Sequence, residues 1–154
     1  MTKDETVRAE YTFSVPVPPQ EAFARISDPE QDPVWQAAVV EVTLLNGEPR
    51  PGCRYDIVFQ LIGKRMEFTV EIDEFEPGRL STFHTLSGPV QYQGTYAYTA
   101  NADGGTDVHW TFDVQPGDYF GIMPKTLLRK VLVNSVKKDS GKLAARLGQE
   151  ARTR

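Results

Sequence analysis

The sequence predicts an α+β domain, in which a long C-terminal helix covers one face of a curved antiparallel sheet of seven strands. Two observations carry this prediction. Over residues 39–114 apolar residues mostly alternate with polar ones, the period of strands with one covered face and one wet face. Beyond Pro116 they recur at three-to-four spacing, which predicts one helix from Pro124 to about Ala151. No other segment is long enough to cover such a sheet.

One strand and two short helices are expected before the main run of strands. Residues 7–15 are rich in Val, Tyr, Thr and Phe and predict a first strand, which Pro16 ends. A short apolar face over residues 18–28, with prolines where a first helical turn tolerates them, predicts a first helix. Further prolines leave room for at most a short second helix around residues 34–36.

Six more strands are expected after the short helices, separated by turns rich in Gly, Pro and Asn. The clearest alternation places Tyr55, Ile57, Phe59 and Leu61 on one face of a single strand. Residues 102–105 read Ala-Asp-Gly-Gly, a hairpin signal before the last strand. The predicted strands cover residues 39–45, 54–62, 66–72, 80–86, 90–99 and 108–114.

Length and composition fit one domain over residues 1–154. Cys53 is the only cysteine, so the chain forms no internal disulfide. The longest uncharged stretch, residues 80–102, is interrupted by Ser, Thr, Gln, Asn and Gly throughout, which argues against a membrane span. The N-terminus is charged and has no apolar segment typical of a signal peptide. We therefore expect a cytoplasmic protein.

The net charge of −4 is unevenly distributed along the chain. From Pro124 onward nine Lys and Arg stand against two acids, giving about +7, so the preceding part carries about −11. One interpretation is a solvated basic helix leaning on an acidic body. The other is a basic face for an anionic ligand or a lipid headgroup. Nucleic acid is not an expected partner, because the overall charge is acidic and no recognition motif is present.

Several short motifs resemble, in the same order, those of the SRPBCC superfamily, the START and birch-pollen-allergen-like proteins. Within it the chain looks most like the bacterial polyketide cyclase/dehydratase and lipid-transport group. The motifs span nearly the whole chain. They are Val-Pro-Val-Pro-Pro-Gln-Glu-Ala-Phe-Ala-Arg-Ile-Ser-Asp-Pro-Glu at 15–30 with Pro33 and Trp35, Pro51-Gly52, Phe-Glu-Pro-Gly-Arg-Leu at 75–80, and Gly-Gly-Thr-Asp-Val-His-Trp at 104–110.

The resemblance implies a helix-grip fold with an apolar cavity between the sheet and the last helix. It implies a mouth near residues 117–121, where two aromatic residues lie between glycines. The first functional expectation is a binding protein for a small hydrophobic ligand, either a lipid or an aromatic, polyketide-like molecule. The second is an aromatase/cyclase or dehydratase without a metal, and the third is a protein-interaction module. The chain is expected to be a monomer or a homodimer.

Asp139 is the main candidate for chemistry. Counted from Leu132 at about 100° per residue, it falls within roughly 20° of the centre of the apolar stripe of the last helix. A carboxylate there is costly unless it is paired, and burial would raise its pKa. A general acid/base, or an anchor for a ligand hydroxyl, is the functional interpretation. The structural alternatives are an ion pair with an arginine of the sheet, or a helix bent enough to expose the side chain.

His84 is the second catalytic candidate, because Phe83 and His84 compete for the inner face of their strand. An inward neutral imidazole would move a proton during cyclisation or dehydration. The alternative is a hydrogen-bonded core or surface histidine. The chain contains only one other histidine, His109, and the two lack ligand spacing, so no metal and no cofactor are expected.

The predicted ligand-binding wall combines inner-face strand residues, the aromatic pair of the loop before the helix, and the apolar stripe of the helix. Most inward aromatic residues in proteins are ordinary core, so periodicity alone does not distinguish a cavity from a filled interior. The predicted ligand-binding residues are Tyr55, Phe59, Phe68, Tyr96, Trp110, Phe112, Tyr119, Phe120, Leu128, Leu132, Ser135 and Val136.

Overall fold

The computed structural model describes residues 6–153, which form one seven-stranded sheet and three α-helices. The charged residues 1–5, which argue against a signal peptide, lie outside the described part. In chain order the elements are β1 (Val7–Val15), α1 (Pro19–Ile26), α2 (Asp32–Trp35), β2 (Val39–Leu44), β3 (Arg54–Leu61), β4 (Lys64–Glu76), β5 (Leu80–Ser87), β6 (Gln91–Ala100), β7 (Thr106–Gln115) and α3 (Lys125–Arg152). A 3₁₀ turn, Pro29–Gln31, joins α1 to α2.

The strands are arranged in the order β1-β7-β6-β5-β4-β3-β2, and every neighbouring pair is antiparallel. β1 forms one edge, α1 and α2 carry the chain to the opposite edge, and β2 to β7 return as a meander. The β4–β5 ladder shifts register between Ile72 and Glu74. Such bulges bend a strand and increase its local twist. The predicted α+β class, seven antiparallel strands, two short helices after β1 and long C-terminal helix are confirmed.

Alternation along the strands separates a covered inner face from a polar outer face. In the β6–β7 ladder Tyr96 lies opposite Trp110, and both are buried. On the outer face Arg8 of β1 donates from Nε and Nη2 to the carboxylate of Asp113 at 2.7 and 2.8 Å. The inner face is therefore the one available to α3.

The C-terminal helix packs along β1 and closes the inner face of the sheet. Leu128, Leu143 and Leu147 are buried on its inward side. Its last turns are joined to α1 by a bidentate ion pair between Arg25 and Glu150, at 2.8 and 3.2 Å. No helix within residues 6–153 is long and apolar enough to cross a membrane.

The interior is divided into two apolar clusters. One gathers around α1 and the C-terminal half of α3, and the other around β3, β4 and the first turns of α3. Phe75, Phe83, Phe112 and Leu132 contact both clusters without being fully buried. The space between the clusters is therefore not completely filled.

Candidate functional site

A cavity lies between the two apolar clusters, enclosed by the inner face of the sheet, the α1–α2 segment and the middle of α3. The volume open to the centres of water-sized spheres is about 100 Å³. That volume is several times what one water molecule needs. Phe75, Phe83 and Phe112 form part of its wall, which explains why these inward phenylalanines remain partly exposed.

The structure places most of the predicted ligand-binding residues on the cavity wall. β3 contributes two, β6 one, β7 two and α3 three. That these residues bind a ligand stays a prediction. They are Tyr55, Phe59, Tyr96, Trp110, Phe112, Leu132, Ser135 and Val136.

Four of the predicted ligand-binding residues do not line the cavity. Phe68 is buried behind the wall, with its ring centroid 4.9 Å from that of Tyr92. Leu128 is buried in the cluster around β3 and β4. Tyr119 and Phe120 pack against that same cluster, and the Lys64 Nζ lies 4.8 Å from the centroid of the Tyr119 ring. The loop expected at the cavity mouth therefore contributes nothing to the cavity wall.

Asp32 is the cavity residue that the sequence analysis missed. It begins α2 and is only 9% exposed, yet it lines the cavity. Gln36, one turn later, donates from Nε2 to Oδ1 at 3.2 Å. Burial raises the pKa of Asp32 well above its ordinary value, and the nearby carboxylate of Asp28 raises it further. Between residues 6 and 153 no Lys, Arg or His forms an ion pair with Asp32.

Three tyrosines line the same cavity as this carboxyl. Burial raises the pKa of Tyr55, Tyr92 and Tyr96, and the charge of Asp32 adds to each shift. No hydrogen bond joins any of the three hydroxyls to another residue of the described range. By contrast, the hydroxyl of Tyr98 lies 2.5 Å from the Ser27 Oγ. We call Asp32, Gln36, Tyr55, Tyr92 and Tyr96 the Asp32 cluster.

Asp139 also lines the cavity, from the middle of α3, and is 8% exposed. Burial raises its pKa, while the backbone N–H of Ala37 and the charges of Lys142 and Lys138 oppose the shift. The Ala37 N–H donates to Oδ2 at 3.3 Å. Neither structural alternative from the sequence holds: the carboxyl is not exposed, and it forms no ion pair with an arginine of the sheet among the residues described.

The cavity wall is thin beside Asp139. Gln36 and Asp139 line both the cavity and an open groove between α2 and α3 on the outside of the protein. Their side chains therefore lie between the cavity and that groove.

His84 does not face the cavity, and the alternative of a hydrogen-bonded surface histidine is the one observed. It lies on the outer face of β5, where its Nδ1 is 2.7 Å from the Asp73 Oδ2. Phe83 takes the inward position, directly opposite Gly94 of β6. A Cβ at Gly94 would overlap the Phe83 ring, so the missing side chain is what admits Phe83. That glycine, within a predicted strand, was the signal that could have decided the facing.

Within residues 6–153 no group of three or more His, Cys, Asp or Glu side chains is arranged to hold a metal ion. The ionisable side chains of the cavity wall are the carboxyls of Asp32 and Asp139 and the phenols of Tyr55, Tyr92 and Tyr96. The site can donate and accept protons or hydrogen bonds, and it presents aromatic faces.

A sheet that grips a long helix around a cavity with a partly aromatic wall defines the START-like, helix-grip class of proteins. Within that class the chain belongs to the polyketide cyclase/dehydrase and lipid transport family, whose sequence model matches residues 6–148. The resemblance seen in the sequence motifs is thus confirmed. The curated protein sequences contain no significant match.

Solved structures from three bacteria share the fold. A START superfamily protein of Mycobacterium smegmatis is similar with a TM-score of 0.76 and 14% identity, over 92% of this chain and 97% of that one. A Thermus thermophilus protein has a TM-score of 0.75 and 22% identity, over 95% of this chain and 99% of that one. The Zhui aromatase/cyclase of a Streptomyces species has a TM-score of 0.71 and 21% identity, over 97% of each chain.

Proposed function

We propose that this protein binds a small, predominantly apolar molecule in the cavity and holds one polar group of that molecule at the Asp32 cluster. Family and fold suggest a hydrophobic ligand-binding or cyclase-like role. The observation that carries the proposal is the set of two carboxyls and three phenols on a cavity wall that is otherwise mostly apolar.

The argument for a polar contact rests on the tyrosine hydroxyls. Tyr55, Tyr92 and Tyr96 line the cavity, and no hydrogen bond joins their hydroxyls to another described residue, so each can still pair with a ligand. A filled core would have favoured the interaction module instead. A ligand with a hydroxyl, carbonyl or amino group supplies the missing hydrogen bonds while its apolar part covers the phenylalanines.

Cavity size limits the ligand. Space for several water molecules admits one or two rings, whereas a longer lipid requires the aromatic wall to move. The half-buried Phe83 and Phe112, which contact both apolar clusters, are the side chains placed to make that movement.

Native mass spectrometry of the purified protein, with organic extraction and identification of any small molecule released, tests this proposal. We expect a stoichiometric passenger with one or two rings, or a short apolar chain, and at least one polar group. A protein that is empty, and that also rejects a panel of lipids and ring compounds, would show that the cavity does not serve binding.

One observation favours catalysis as a second candidate function. Two carboxyls with raised pKa, Asp32 and Asp139, line one cavity, and the charges of both act on Tyr96. Acid–base catalysis requires carboxyls whose pKa has moved toward the working pH. In a cyclisation one carboxylate would remove a C–H proton, the enolate carbon would bond to the carbonyl carbon, and a neutral carboxyl or phenol would protonate the carbonyl oxygen. In the dehydration that follows, a base of the wall removes a second C–H proton, the carbon–carbon double bond forms, and the hydroxyl leaves as water with a proton from the acid.

Loss of water from a β-hydroxyketone with an aromatic ring, followed by the absorbance of the conjugated product, tests the catalytic candidate. We expect Asp32→Asn and Asp139→Asn each to lower the rate by about 10²-fold or more. Asp56→Asn, on the outer face of β3, is the matched control and should leave the rate unchanged. Wild-type protein that gives no acceleration over buffer, or variants as fast as wild type, would remove this candidate.

A further inference from the structure

We propose that the polar group held at the Asp32 cluster is a protonated amine, so that the cavity is a site for a hydrophobic amine. This inference rests on the proposed function and specifies its ligand class. It arises from the charges of the cavity wall, the surroundings of Asp32 and the ring faces around it.

The cavity wall has acidic groups and lacks a basic counterpart. Asp32 and Asp139 line it, and no Lys, Arg or His within residues 6–153 does. A ligand carboxylate or phosphate would be placed beside two carboxyls with no cation to neutralise it. Like charges that share one desolvated cavity repel strongly, so the wall selects against anions.

The hydrogen bonds of Asp32 leave acceptor capacity open toward the cavity. Its side chain is more than nine-tenths buried, and Gln36 donates to Oδ1 alone. The carboxylate of Asp28, which has the same sign, raises the pKa of Asp32 further. An ionised carboxylate has about four acceptor positions, and an ammonium group brings three donors and the opposite charge. A cation therefore relieves both the electrostatic cost and the unmet hydrogen bonds of Asp32.

Aromatic faces complete the site. Tyr55, Tyr92 and Tyr96 line the same cavity as Asp32, and its charge contributes to the raised pKa of each. The Tyr92 ring centroid lies 4.8 Å from that of Phe112. Ring faces attract ammonium groups by about 0.5–2 kcal/mol, with the larger value where water is excluded. A carboxylate among aromatic rings binds the ammonium group of a ligand by charge, and the rings bury the ligand's apolar part.

Three ligands with one ring system and different headgroups test the inference: 2-naphthylmethylamine, 2-naphthylmethanol and 2-naphthoate. We expect calorimetry at pH 7 to give the amine a Kd at least about tenfold lower than that of the alcohol, with naphthoate the weakest. Asp32→Asn should abolish the preference for the amine and leave the Kd of the alcohol within about threefold of wild type. Glu30→Gln removes an exposed charge two residues away, outside the wall, and should change neither value.

The outcomes separate the inference from the function on which it rests. Wild-type protein that binds the alcohol or naphthoate as tightly as the amine overturns the amine assignment and leaves ligand binding supported. Asp32→Asn protein that keeps the amine preference overturns the assignment too. If Asp32→Asn does not fold, the headgroup series on wild type decides alone. Failure of all three ligands to bind counts against the proposed function itself.

Discussion

The carboxylate of Asp32 is favoured by the backbone of α2 and disfavoured by its burial at the cavity. An acid in the first turn of a short helix interacts favourably with the unpaired N–H groups there. This first turn, however, lies against the cavity, where burial penalises the charged form. Gln36 offsets part of that penalty with one hydrogen bond. A residue that weakens the fold while it faces an open cavity is a strong candidate for a functional role.

The stability of the Asp32→Asn variant tests whether burial penalises the Asp32 carboxylate. Burial raises the pKa of Asp32 above its ordinary value of 3.8, so the folded state disfavours the carboxylate. The resulting penalty is absent below the unfolded pKa and grows as the pH rises toward the folded pKa. We therefore expect Asp32→Asn to increase the free energy of unfolding at pH 7 by about 1 kcal/mol or more. The gain should shrink as the pH approaches about 4.

Denaturant unfolding at both pH values measures this difference. Glu30→Gln, which removes a charge from the same segment at an exposed position, serves as the control and should give no comparable gain. An Asp32→Asn variant less stable than wild type at pH 7 would mean that the carboxylate has a stabilising partner in the fold.

The strands and the long helix were predictable because their apolar periods are regular over many residues. The predicted helix of residues 124–151 and the observed α3, Lys125–Arg152, differ by one residue at each end. β4 was predicted too short, over residues 66–72, since it runs on to Glu76. Acidic residues beyond Ile72 and a register shift interrupt the alternation there, although the backbone pairing with β5 continues.

Placement of side chains at the cavity was predictable only where one element decided it. Asp139 could be located because its helix alone sets its facing. Asp32 could not, since its position depends on how a short segment between prolines packs against β2 and α3. Which of Phe83 and His84 faces inward could be decided only from the neighbouring strand β6, where Gly94 leaves room for the Phe83 ring. Tyr119 and Phe120 were assigned to the cavity mouth by family resemblance, and they pack against the core instead.

Across the whole molecule, the cavity lies between two apolar clusters, so the surface proposed to bind a ligand also belongs to the core. The wall residues of the two clusters meet at Phe75, Phe83, Phe112 and Leu132, and the gap between them remains open. A protein stabilised only by its core would gain by closing that gap. Binding is the function that gives the gap a physical reason.

Filling the cavity with a large side chain tests most directly the claim that the ligand binds inside it. Val136→Trp places a large ring on the wall from α3, while Asn134→Trp places the same ring on the exposed side of that helix. We expect calorimetry with 2-naphthylmethanol to show wild-type affinity for Asn134→Trp and at least about tenfold weaker binding for Val136→Trp. Equal binding by a folded Val136→Trp protein and wild type would contradict the account, because the ligand would then lie outside the cavity.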